Sequence, residues 1–278
     1  MRKLLLVNAI IVSGGATHAK PCRLTCREAR CLIGLDAEIS ACTKTYKSIY
    51  LYEFIQIGLF VQKRTMTKKR YAVLIADVVG SSSRRNLRSL LMNRLELARR
   101  AHRRARWIRL PYAVTAGDEF QAILAPAANI PELIFDLRMK MRPLRLRIGV
   151  GFGAVSSRIQ PPVNAMAGEA FQRARQALES IKAGSPKYDV LTAFRSGKEI
   201  FDSTANLIYA LHDTLLLRIT SKQWDTIQVF RQKRSLESAA EVLRLDLSTV
   251  SRNLKRGYFW QIERTIAGLD RLIRANKM

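Results

Sequence analysis

Ala113-Val114-Thr115-Ala116-Gly117-Asp118-Glu119-Phe120-Gln121-Ala122-Ile123-Leu124 reads as two apolar half-strands hinged on a glycine, with two carboxylates beside the hinge. Gly117 supplies the turn, so the stretch is a β-hairpin with acid at its tip. Solvation alone accounts for a hairpin carboxylate. Phosphate chemistry on Mg²⁺ asks for a second one nearby, because such a site takes one or two protein carboxylates plus substrate oxygens.

Upstream, Tyr71 to Asp77 is a nearly continuous apolar run ending in an acid, as expected of a buried central strand. Asp77 is therefore the candidate second carboxylate. Val78-Val79-Gly80-Ser81-Ser82-Ser83 follows as a small-residue turn feeding a helix, where backbone N–H groups suit a phosphate. Leu87, Leu90, Leu91, Leu95, Ala98, Ala101 and Ala105 recur at helical spacing and predict one helix over 84–106 with an arginine-rich outer face. Downstream, Asn129-Ile130-Pro131-Glu132 opens a helix to about Met141. Leu144 to Val155 alternates as a strand whose glycines signal a bulge or a close backbone approach. A helix over 165–181 and a short strand over 189–194 complete the series. The order is β-α-β-β-α-β with an αβ extension, an α/β domain of ferredoxin-like type over residues 66–197.

The chain has 278 residues and a formal charge of +26. The surplus is absent from residues 161–217, where acids and bases balance. It favours nucleic acid or an anionic surface as partner, or reflects a compositional bias towards arginine. No run of 18 apolar residues occurs, so no transmembrane span is expected. Cys22, Cys26, Cys31 and Cys42 all fall in the first 65 residues and lack the paired spacing of a zinc site. Met1-Arg2-Lys3 with Leu4 to Val12 superficially resembles a signal peptide, but Ala16-Thr17-His18-Ala19 is a poor cleavage site. Residues 1–65 read as an extension, disordered or preceded by a start codon placed too far upstream of Met66.

From Lys198 the pattern becomes helical. Phe201, Leu207, Ile208, Leu211, Leu215 and Ile219 form a stripe over a connecting helix, 198–220, which packs on the first domain or pairs in a homodimer. In 221–278, Ser221 is placed to cap a helix bearing Trp224, Ile227 and Phe230. Ser235–Leu243 and Leu247–Arg256 then read as two short helices joined by about three residues, the helix-turn-helix pattern. Leu247, Val250 and Leu254 are expected inward, leaving Ser248, Thr249, Arg252, Asn253 and Arg256 outward as DNA-reading groups. Arg244 stands where such turns place glycine. Trp224, Phe259 and Trp260 are expected in the core.

Asp77 with Gly80-Ser81, the Gly117-Asp118 hairpin and Arg147-Ile148-Gly149-Val150-Gly151-Phe152-Gly153 resemble the core of class III nucleotidyl cyclases. Ala116-Gly117-Asp118-Glu119-Phe120 is also similar to the GGDEF diguanylate cyclases. Together with Gly168-Glu169-Ala170-Phe171 and the C-terminal region, the combination resembles the SatD family most closely, over residues 70–262. That resemblance implies a bacterial, cytoplasmic DNA-binding regulator with a cyclase-like domain sensing a nucleotide or a metal. It implies Mg²⁺ or Mn²⁺ on Asp77, Asp118 and Glu119, and a nucleotide at Gly80, Ser81, Ser82 and Gly117. Gln172 and Gln176 replace the Asn and Arg that the cyclases carry in the following helix, which favours binding over turnover. The alternative is a metal-dependent cyclase or related phosphoryl-transfer enzyme.

Overall fold

β1 (Arg70–Val78) is the middle of a five-stranded sheet in a computed structural model that describes residues 69–83, 86–126, 128–155, 159–184 and 190–278. The expected extension with its four cysteines, and Arg84 and Arg85 of the expected helix, lie outside the described residues. β1 is apolar without interruption because both its faces are covered. Ala72, Leu74, Ala76 and Val78 enter one core cluster, and Val73 and Ile75 another on the opposite face.

The strands run in the order β2 (Ile108–Ala116), β3 (Glu119–Leu124), β1, β4 (Leu146–Ala154) and β5 (Thr192–Arg195). All neighbouring pairs are antiparallel except β4 with β5. β2 is longer than its sequence suggests, and register shifts between Leu110 and Ala113 take up Pro111. One face of the sheet carries α1 (Leu87–Arg104) and α2 (Ile130–Met141). The other carries α3 (Glu169–Lys182). The glycines of β4 are there for α3. A Cβ on Gly149 would lie 2.3 Å from Ala174 O, and one on Gly151 2.2 Å from both Ala170 O and Ala174 N.

α4 (Glu199–Leu217) packs on the α1–α2 side through Phe201, Ala205 and Tyr209. The stripe expected on it divides: Phe201 and Ile219 are buried, whereas Leu207 and Leu211 face solvent. Arg138 of α2 ties this layer to the sheet. It donates to Leu146 O (2.8 Å), Leu191 O (3.0 Å) and Thr192 Oγ1 (2.7 Å), and its ion-pair partner is the buried Asp213 of α4.

α5 (Ser221–Lys233), α6 (Leu236–Leu243), α7 (Leu247–Arg256) and α8 (Phe259–Ala275) follow. Thr220, not Ser221, caps α5, in a reciprocal box with Gln223. Arg231 of α5 pairs with Glu132 of α2 and Glu263 of α8, and its guanidinium lies 4.9 Å over the Phe135 ring. Residues Thr67–Met278 cluster as one compact unit. Trp260, expected in the core, is 57% exposed, with its edge against Phe230 and Phe259. Among the described residues no helix is long and apolar enough to cross a membrane.

Candidate functional site

The Gly117-Asp118 turn joins β2 to β3. Gly117 has φ 52°, and a Cβ there would meet nothing within 4 Å, so the turn's backbone demands glycine rather than any lack of room. A cavity of about 650 Å³ opens beside it. Ser81 and Ser82 line it from the 3₁₀ turn after β1, Leu87, Arg88 and Met92 from α1, and Thr115, Gly117 and Asp118 from the hairpin. The structure thus brings Ser81, Ser82 and Gly117 of the expected nucleotide set around one cavity, together with Asp118 of the expected metal set. Gly80, at φ 68°, swings the chain from β1 into that 3₁₀ turn. Arg88, Met92 and Thr115 escaped the sequence reading, although Arg88 and Met92 stand one helical turn apart.

Asp77 and Glu119 belong elsewhere. By the alternation of β1 and β3 both point to the face that α3 covers. Asp77, only 5% exposed, accepts from Arg147 Nε (2.9 Å), its cross-strand partner on β4, and pairs with Lys182 Nζ (3.2 Å) at the end of α3. Glu119 takes a two-pronged pair from Arg175 and a bond from Thr115 Oγ1 (3.0 Å). Burial pushes the Glu119 carboxyl up, but Arg175 and Thr115 outweigh it and hold the acid below its ordinary range. Lys182 is raised: Glu179 and Asp77 favour its charged form by more than burial opposes it.

These pairings separate Asp77 and Glu119 of the expected metal set from Asp118 at the cavity. Among the described residues no group of three or more His, Cys, Asp and Glu side chains is placed to hold a metal ion. A divalent cation on Asp77 would first have to displace Arg147 and Lys182, so the donor set as arranged does not fit one. In α3, Arg173 is a brace, donating to Phe152 O (2.6 Å) and pairing with Glu169 (2.8 Å). The signal for the Arg175–Glu179–Lys182 row was its helical spacing, with Arg147 directly opposite Asp77 in the strand alternation.

The second candidate is α6–α7. Ala239 of α6 and Val250 and Leu254 of α7 are buried in one core cluster of the helical tail. Ser235 caps α6 by accepting from Ser238 N (3.2 Å). Arg244 ends it in the left-handed region, φ 54° and ψ 46°. On α7, Ser248, Arg252 and Arg256 are exposed and Thr249 is half-exposed. Arg252 lies along the helix through long bonds to Ser248 O (3.2 Å) and Thr249 Oγ1 (3.3 Å). Two expectations are corrected. Asn253 is half-buried and donates to Thr226 Oγ1 of α5 (3.1 Å), which turns it away from the outward face. Leu247, expected inward, is 45% exposed at the first position of α7.

Sheet, hairpin cavity and helical tail together define a mixed α/β protein with a C-terminal helical region. The chain belongs to the SatD family, whose model matches residues 71–259. No curated protein matches it. Among solved structures it is similar to a bacterial light-regulated adenylyl cyclase, at 12% identity and TM-score 0.33 over 56% of this chain and 57% of that one. A second structure of a bacterial light-regulated adenylyl cyclase matches at 16% and 0.31 over 45% and 74%. A regulator of polyketide synthase expression from Bifidobacterium adolescentis matches at 16% and 0.24 over 79% and 91%. The chain spans 57% of the first of these proteins, and none of the three likenesses bears on what it does.

Proposed function

We propose that this SatD-family chain is a DNA-binding regulator in which α6–α7 is a helix-turn-helix, α7 reads the major groove, and the α/β part senses a nucleotide. The observation that carries it is the division of α7. Val250 and Leu254 are buried, while Ser248, Arg252 and Arg256 stand in solvent on the opposite side. Arg252 is the base-reading group, with Ser248, Thr249 and Arg256 on phosphates or base edges. Asn253 holds α7 to α5. The +26 charge supplies the sequence-independent attraction, and in this reading the protein works beside DNA in the cytoplasm. Selection from a randomised duplex pool at fixed salt tests this: a recurring sequence is expected, and failure to enrich any sequence refutes the reading.

The strand order β4-β1-β3-β2 with crossings α1 and α2 supports the ferredoxin-like, cyclase-like arrangement for the α/β part. Its cavity supports the nucleotide. Arg88 suits a phosphate, Ser81 and Ser82 suit its oxygens, and Asp118 suits a ribose hydroxyl or base amino group. A second reading, a phosphoryl-transfer enzyme, is favoured by the same cavity, of a size usual for small-molecule sites, roughly 300–1,000 Å³. Incubation with ATP or GTP plus Mg²⁺ or Mn²⁺ separates the two: turnover abolished by Asp118→Asn supports the enzyme, and saturable binding without turnover supports the sensor.

A further inference from the structure

α4 presents an apolar line to solvent that nothing among the described residues covers. Ile200 is 84% exposed, Leu207 67% and Leu211 66%. With Arg218 they recur at seven, four and seven residues, within roughly 20° of one line along a helix. The side chains between them add no charge. Thr204 is exposed, Ser203 Oγ donates to Ile200 O (3.2 Å), and Thr214 Oγ1 donates to Ala210 O (2.9 Å), so covering Ser203 and Thr214 strands neither hydroxyl. The two acids within the helix are turned inward: Asp202 accepts from Ser196 N and Gly197 N, and Asp213 is buried. Only the ends are charged and exposed: Glu199 at the start, Arg218 just past the finish, and the N-cap Lys198, whose Nζ is turned to Asn276 O (2.6 Å). Among the described residues neither Glu199 nor Arg218 has an ion-pair partner.

We propose that a second copy of this chain occupies this line, its α4 running antiparallel to the first about a two-fold axis near residues 208–210. In that register Leu207 packs beside Leu211 of the other copy, and Glu199 comes next to the other copy's Arg218 at both ends of the seam. The occupant follows from charge. A chain of +26 repels its own copy over most of its surface, yet this face is neutral and complementary to itself when reversed. One helix pair buries less than the roughly 800 Å² per partner of a standard interface, so dissociation on the order of micromolar or weaker is expected.

Sedimentation of the full chain over a concentration series reads this directly. A dimer of the 31.6 kDa chain is expected, with Leu207→Glu and Leu211→Glu each weakening it at least tenfold while the circular dichroism melt is unchanged. Leu207→Ser is the gentler variant should glutamate disturb the helix. Glu199→Arg and Arg218→Glu should each weaken the dimer, and the two together should restore it. A chain that stays monomeric at hundred-micromolar concentration overturns the proposal, as does a dimer indifferent to Leu207→Glu and Leu207→Ser. A double charge swap that restores nothing overturns the antiparallel register. A monomer destabilised to heat by Leu207→Ser shows the line covered within its own chain, which overturns it as well.

Discussion

Arg244 carries a backbone that glycine adopts more cheaply, at φ 54° in an exposed turn. Arg244→Gly should therefore stabilise the protein by about 1 kcal/mol, read as a shift in the urea midpoint at constant slope. The opposite holds in β4, where a methyl on Gly151 would lie 2.2 Å from the α3 backbone at Ala170 and Ala174. Gly151→Ala should cost about 1–3 kcal/mol or more in the same measurement. Alternating glycines in a strand are legible as a close approach from the amino-acid sequence alone. Asn253 is not, since a helix taken alone presents it beside Arg252, and only the position of Thr226 on α5 turns it inward. Glu119 is legible as an acid, but not as the partner of Arg175, because that pair joins two elements 56 residues apart. Its folded carboxyl is held below the ordinary value, so its contribution to stability is in full above about pH 4.3 and is lost as the pH falls through the lowered value. Glu119→Gln should flatten the acid limb of a melting-temperature profile; an unchanged limb would show the pair contributes nothing.

At the scale of elements, the hairpin, the two-faced strand β1 and the α3–β4 contact follow from alternation and from small residues at fixed spacing. β2 is half hidden because Arg109 and Pro111 interrupt its pattern, and bulges absorb what the pattern cannot. α4 defeats periodicity for another reason: apolar residues stand on both its buried and its exposed sides, so no single stripe marks the core. In α6–α7 the small residue Ala239 is wholly buried in the core that also holds Val250 and Leu254 of α7. Ala239→Leu should overfill that core and lower stability by about 1–3 kcal/mol. It should also weaken DNA binding on every sequence alike, since the spacing of the two helices changes rather than one base contact.

In the whole molecule the helical tail is seated on the α/β part. Arg231 sits between Glu132, Glu263 and the Phe135 ring, largely out of solvent. Arg231→Ala leaves two carboxylates without their cation and should cost about 3 kcal/mol in urea unfolding. The sequence points to both halves but not to their docking, which joins Phe135 to the core of the tail, Leu269 and Ile273 to the core of the sheet, and Arg231 to Glu132, all far apart in the chain. The central claim, that α7 reads bases through Arg252, is tested most directly by fluorescence anisotropy of wild type and Arg252→Ala on a selected and a scrambled duplex at one fixed salt. A reading role predicts a loss of about 1–3 kcal/mol, roughly five- to 150-fold, on the selected duplex and little change on the scrambled one. Equal affinity of the two proteins for the selected duplex would contradict it.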